Sequence, residues 1–244
     1  MQRYLIHLSY NGTAYNGWQT QPNAPSVQET LEKCLSVLLA QPVSVTGAGR
    51  TDTGVHAEMM AAHFDVDTPI ENPSLLVGRL NSFLPKDIAV KDIAERNLHA
   101  RFDAVSRTYE YRIAQQKNPF LNDLAYYFHG NLDFELMNEA ARTLFDYTDF
   151  TSFSKLHTNA RTNNCRIMQA EWAQRGEQWV FTICANRFLR NMVRAIVGTL
   201  LEVGKGQMTV AQFRGVVEAK DRRRAGTSAP ACGLYLVEVK YNGS

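Results

Sequence analysis

The chain has 244 residues, 45% of them hydrophobic, which is enough to bury a substantial core as one domain or as two related halves. With 26 basic and 24 acidic side chains the formal net charge is only +2, so bulk charge does not announce a nucleic-acid binder. No apolar run approaches the ~20 residues needed to span a bilayer, and Met1-Gln2-Arg3 leads straight into a strand pattern rather than a signal peptide.

Arg3–Tyr10 alternates Tyr4, Ile6, Leu8 and Tyr10 against Leu5, His7 and Ser9, which predicts a strand. After an exposed loop at Gln21–Pro25, Ser26–Ala40 is predicted as a helix. Ser26 and Glu29 have capping-box spacing, and Val27, Leu31, Cys34, Leu35 and Leu38 form one apolar stripe. Strands at Val43–Thr46 and Glu58–Val66 flank the loop Gly49-Arg50-Thr51-Asp52-Thr53-Gly54-Val55-His56-Ala57. Glycines at 47, 49 and 54 surround Asp52 and let the backbone turn tightly and approach a ligand. Arg50 stands two residues away, so a cation and an anion can face one bound group. The bland alternative is a solvated Asp-Gly-type turn, and composition alone does not separate the two. A helix over Asn72–Phe83 stops before Pro85, and Ile88–Glu95 is a further strand.

The second half repeats the theme. Ser106–Gln115 is predicted as a strand with Arg107, Tyr109, Tyr111 and Ile113 on one face, followed by a helix at Asp133–Phe145 and an exposed loop at Phe150–Asn164. Strands follow at Arg166–Gln174 and Trp179–Ala185. In Phe188–Val203, apolar residues recur every three or four positions, giving a helix with Arg190 and Arg194 one turn apart on its other side. Thr209–Ala219 is a shorter helix, and Leu234–Tyr241 closes as a strand. The order is α+β, without the regular alternation that demands a parallel sheet. Cys34, Cys165, Cys184 and Cys232 lie far apart with no Cys-x-x-Cys pair, which suits small buried residues in a reducing cytoplasm. Positive charge is clustered at Arg187, Arg190 and Arg194, at Arg222–Arg224, and around Arg101 and Arg107. Such runs are most often solvated faces.

The string from Gly49 to Ala57 resembles the catalytic loop of the tRNA pseudouridine synthase A family, and other segments match in that family's order. These are Tyr10-Asn11-Gly12-Thr13 with Gly17-Trp18-Gln19-x-Gln21, Asn81-x-x-Leu84-Pro85-x-Asp87-Ile88, Ala100-Arg101-Phe102-x-Ala104, and Arg107-x-Tyr109-x-Tyr111. Phe188-Leu189-x-x-Met192-Val193-Arg194, Ile196-Val197-Gly198 and Gly233-Leu234-Tyr235-Leu236 complete the set. The resemblance runs from Tyr4 to Tyr241; Thr53 and the stretch Thr227–Pro230 are small departures from the family pattern. It implies two related α/β, RRM-like subdomains, 1–103 carrying the aspartate loop and 104–244 completing the site. Their mainly antiparallel sheets would be joined, with a cleft between them. It further implies a homodimer acting on nucleotides 38 to 40 of the tRNA anticodon stem-loop, with no metal and no organic cofactor.

Pseudouridine formation breaks the N1–C1′ bond, turns the uracil and remakes the link at C5. That requires an ionised carboxylate near C1′ and C6, and the resemblance assigns it to Asp52, acting as nucleophile at C1′ or C6 or promoting elimination through a glycal. Burial alone would raise a carboxyl pKa, and the resemblance nominates Arg194 as the charge that counters this. Tyr109 corresponds to the tyrosine beside the uracil that takes the C5 proton, and Leu234 to an aliphatic group on the base's other side. Arg50 suits a group that guards the gap left by an extruded base. Arg187 and Arg190 become phosphate contacts, and the loop 150–164 a further RNA contact. Two rivals exist. His56-Ala57-Glu58 matches a zinc deaminase's His-x-Glu, but Pro230-Ala231-Cys232 lacks the second cysteine that site needs. A non-catalytic RRM-like RNA-binding module fits the fold order but gives no reason for the Arg-Thr-Asp loop.

Overall fold

The computed structural model describes residues 1–155 and 162–242. It is α+β with mostly antiparallel strand pairing, and it divides into two compact units, Met1–Val105 with Tyr235–Ser244, and Ser106–Leu234.

In the first unit β1 (Gln2–Tyr10) lies between β3 (His56–Val66) and β4 (Ile88–Glu95), antiparallel to both. The short β2 (Val45–Gly47) adds to β3, which also carries β9 (Leu234–Tyr241) in parallel register, His56 against Tyr235 and Ala57 against Leu236. Two helices accompany the sheet. Ser26 caps α1 (Val27–Leu38) by accepting the Glu29 amide at 3.2 Å, while the Glu29 carboxylate pairs with Lys33 one turn on. Asn72 does the same for α2 (Pro73–Phe83), whose first residue is a proline. Ile6, Leu8, Leu31, Leu35, Met60 and Phe64 form the fully buried core of this unit.

In the second unit β8 (Gln178–Ala185) lies between β5 (Ala104–Ala114) and β7 (Ile167–Arg175), antiparallel to both, and β6 (Tyr126–Tyr127) adds two residues to β5. Gly176, at φ +59°, opens the two-residue turn from β7 to β8. Helices α3 (Phe134–Arg142), α4 (Met192–Gly204) and α5 (Val210–Glu218) complete it. Phe134 stacks on Trp179 at 3.9 Å, and Thr209 with Gln212 forms a reciprocal capping box at the start of α5.

Three expectations need correction. The helix expected from Phe188 starts only at Met192, because Asn191 is left-handed (φ +65°), so Arg190 precedes α4 instead of lying on its face. The predicted α3 ends at Arg142 and tightens into a 3₁₀ turn at Thr143–Asp146. The loop 150–164 is not uniformly exposed. Phe150, Ser152 and Phe153 are fully buried, and the Ser152 hydroxyl donates to the Val216 carbonyl at 2.6 Å. Residues 156–161 of that expected RNA contact lie outside the described residues.

Candidate active site

In the first unit the chain leaves β2 at Gly47 and re-enters the sheet at His56, and Asp52 lies between. The Val55 amide donates to the Asp52 carbonyl at 3.1 Å, closing a β-turn over Thr53 and Gly54. Gly54 has φ +75° at the third position of that turn, which only glycine takes without strain. The turn leaves the Asp52 side chain half-buried, with Arg50 exposed on the incoming limb.

What holds this turn comes from the N-terminal segment. Thr51 is buried, and its Oγ1 lies 2.9 Å from the Tyr10 hydroxyl. The Trp18 amide donates to the Thr51 carbonyl at 3.3 Å, and the Gly54 amide to the Tyr15 carbonyl at 3.2 Å. On the far limb the Gly12 amide donates to His56 Nδ1 at 3.1 Å, which fixes Nδ1 as the unprotonated nitrogen; the His56 ring stacks on Tyr235 at 4.6 Å. Gly12 and Gly17 permit the approach. A Cβ on Gly12 would lie 2.0 Å from the Val55 oxygen, and one on Gly17 would lie 2.3 Å from the Thr51 oxygen. Sequence reading recognised these residues as a family signature and missed their work as the cradle of the aspartate turn. The signal was present in Gly12 and Gly17, which stand where no strand or helix needs a glycine.

The second unit holds Tyr109, Arg187, Arg190, Arg194 and Leu234. Tyr109 lies in β5 opposite Ile183, is 8% exposed, and meets the Phe188 ring edge-on at 5.1 Å. Tyr111, two residues on, is fully buried and donates to the Pro230 carbonyl at 2.9 Å; burial pushes its phenol pKa far up. The two tyrosines therefore differ in kind: one lies at the rim of the unit's core and the other is tied inside it.

Arg194 stands in the first turn of α4, half-buried. Its Nε donates to the Ala229 carbonyl at 2.7 Å, and the Ala229 amide returns a bond to the Arg194 carbonyl at 2.9 Å. The strap Gly226–Pro230 is laid across this helix at Gly198, where a Cβ would lie 1.8 Å from the Thr227 oxygen. Asn191 Nδ2 donates to Ser228 Oγ at 2.6 Å, and Arg222 donates to the Gly226 carbonyl and to Ser228 Oγ. The strap leads to Leu234, which is 6% exposed.

Several of the clustered arginines have bonding partners within their own unit. Arg222 turns back onto the strap, Arg223 pairs with Asp221, Arg107 donates to the Asn186 carbonyl, and Arg187 donates to the Thr162 carbonyl at 3.2 Å. Arg190 is exposed, and its carbonyl accepts from Lys155. Among the described residues no group of three or more His, Cys, Asp or Glu side chains is placed to hold a metal ion.

Comparison with known proteins gives a consistent result. A family model described as tRNA pseudouridine synthase matches residues 7–103 and 140–242. The chain is 58% identical over 243 residues to the tRNA pseudouridine synthase A of Parabacteroides distasonis, covering 99% of this chain and 96% of the relative. It is 58% identical over 248 residues to that of Porphyromonas gingivalis, covering 99% and 98%. With the tRNA pseudouridine synthase A of Aliivibrio salmonicida it shares 41% identity over 244 residues, covering 98% and 92%.

Proposed function

This chain belongs to the tRNA pseudouridine synthase family, and on that footing we propose that it converts uridine to pseudouridine at nucleotides 38 to 40 of the tRNA anticodon stem-loop. It is an isomerase. The N1–C1′ bond of the target breaks, a C5–C1′ bond forms, the C5 proton leaves and N1 gains one, so no co-reactant is consumed.

One observation supports the assignment of Asp52 above the others. Its turn is fixed at both ends by Tyr10, Tyr15, Trp18 and Gly12, so the backbone that carries this half-buried carboxylate is set before any substrate arrives. Pre-set electrostatics of this kind cost no reorganisation during the reaction. Asp52 then acts on the sugar–base bond. Tyr109 takes or relays the C5 proton, Arg194 keeps the carboxylate charged, Leu234 packs on the base, and Arg50 guards the gap left in the stem. Arg187 and Arg190 meet phosphates. A phenol is a weak base near neutrality, so Tyr109 works through neighbouring positive charge or a water.

The protein works as a homodimer, because a stem-loop needs a longer contact surface than one chain of this size offers, and in the cytoplasm, where tRNA is modified. Pseudouridine mapping of a tRNA transcript, with and without the protein, tests the function directly. Conversion at 38 to 40 is expected; RNA binding with no conversion anywhere would return the chain to the RNA-binding module.

A further inference from the structure

Between β4 and β5 the chain makes a turn whose side chains form a column of rings. His63 in β3 is buried, His99 lies against it at 4.6 Å, and Phe102 stacks on His99 at 4.2 Å with 29° between the planes. The column runs from the core of the first unit to solvent, and Phe102 at its outer end is 75% exposed. The turn beneath is heavily bonded. His99 Nδ1 accepts from the Arg101 and Phe102 amides at 3.2 and 3.3 Å, and Asp103 accepts the His99 amide at 2.6 Å. The Ala100 amide donates to His63 Nδ1 and its carbonyl accepts the Tyr241 hydroxyl. The Arg101 guanidinium carbon lies 5.9 Å from the Phe102 ring centre, at the outer limit of a cation–π contact.

An exposed phenylalanine loses solvent-free packing on its outer part and gains nothing for the fold there. Here it is also held on a stiff base with a cation beside it. A flat π surface next to a guanidinium is what a nucleobase and its phosphate require, since stacking accepts any base and the cation meets the backbone. A protein partner with an acidic, apolar face would suit the cation and the apolar ring, but it would make no use of a ring already stacked and levelled by His99. We propose that Phe102 is a stacking platform for an unpaired nucleobase of the tRNA substrate, with Arg101 turning from the ring to the adjoining phosphate. This rests on the tRNA-modifying function proposed above and adds a contact to it.

The test uses the full-length protein, an unmodified tRNA transcript, and the variants Phe102→Ala, Phe102→Leu, Phe102→Trp and Arg101→Ala. Phe102→Ala is expected to weaken tRNA binding by about 5- to 100-fold while leaving the slope of log K against log salt unchanged. Phe102→Trp should restore the affinity, and its indole fluorescence should be quenched when tRNA binds. Arg101→Ala should lower the salt slope by about 0.7–0.9. Phe102 is exposed, so thermal melts of its variants should match the parent's. Parental affinity in Phe102→Ala overturns the proposal, as does full affinity in Phe102→Leu, which would mark a generic apolar contact. A parent protein that binds no tRNA would instead overturn the functional reading itself, so the two failures are distinguishable.

Discussion

The Tyr10 hydroxyl lies 2.9 Å from Thr51 Oγ1, so the end of the first strand holds the residue immediately before Asp52. Both groups are buried, and a hydroxyl pair in a dry setting is worth more as a positional restraint than as stability. The candidate nucleophile is thus oriented by a segment about forty residues upstream rather than by its own neighbours alone.

Replacing Asp52 with Asn should abolish turnover and leave tRNA affinity nearly intact. The carboxylate acts on the sugar–base bond, whereas phosphate contacts supply most of the affinity. Single-turnover assays and filter binding on the same variant check it; turnover within tenfold of the parent rejects the assignment.

Tyr109→Phe and Tyr111→Phe should separate chemistry from folding. Removing a general base typically costs ~10²–10⁴-fold, so Tyr109→Phe should stall before proton loss from C5. Tyr111→Phe deletes a buried bond to the Pro230 carbonyl and should cost about 1 kcal/mol of stability with little change in turnover. Tritium release from C5-labelled tRNA reads the first effect and denaturant melts the second. Equal release rates for Tyr109→Phe and the parent would remove Tyr109 as the base.

Arg187→Ala and Arg190→Ala should each weaken tRNA binding and lower the salt slope by about 0.7–0.9 if each meets one phosphate. Arg187 also loses its bond to the Thr162 carbonyl, so its variant alone should show a small drop in melting temperature. An unchanged slope returns either residue to the solvated surface.

Light scattering of the pure protein should find a dimer under assay conditions, and activity should fall on dilution below the dissociation constant. An active monomer contradicts the proposed assembly.

Stability should fall between about pH 6.5 and pH 4 through His63. Burial is the main cause that lowers its pKa to about 4, with Arg3 and His99 adding to the shift and Asp65 and Asp103 opposing it. The folded pKa is below the unfolded one, so the unfolded chain binds the extra proton within that window. Stability therefore rises with pH from 4 to 6.5 and is flat outside it, on the order of 3 kcal/mol in all. His63→Asn, whose side-chain oxygen can still accept the Ala100 amide, should flatten the profile. An unaltered profile assigns the effect elsewhere.

Much of this was legible in the sequence, and what was missed has physical causes. The strand β1 follows from alternation, and the aspartate turn from the glycines around Asp52. Periodicity could not place the start of α4, because Phe188 and Leu189 fit a helical stripe while the backbone turn resides in Asn191. Charge runs misled in the same way. Arg222 reaches the strap at Ser228 whereas Arg223 pairs with Asp221, a difference no linear pattern encodes. Nor could spacing reveal that Gly12 serves Val55, since the contact spans a gap in sequence that only the sheet closes.

The strand β9 has a bearing on how the protein is made. The first unit is interrupted, and its last strand leaves the ribosome roughly 130 residues after Val105 does. At the usual pace of synthesis that is an interval of about 7 to 26 s. During that time the stretch of β3 at His56 and Ala57 lacks its parallel neighbour, and Tyr235 is not there to cover His56. The newborn chain thus carries an open strand edge next to its own aspartate turn, the kind of edge that can pair with another strand until β9 arrives. Fast translation or a tethered C-terminal segment should shorten that exposure, and slow codons between 106 and 234 should lengthen it.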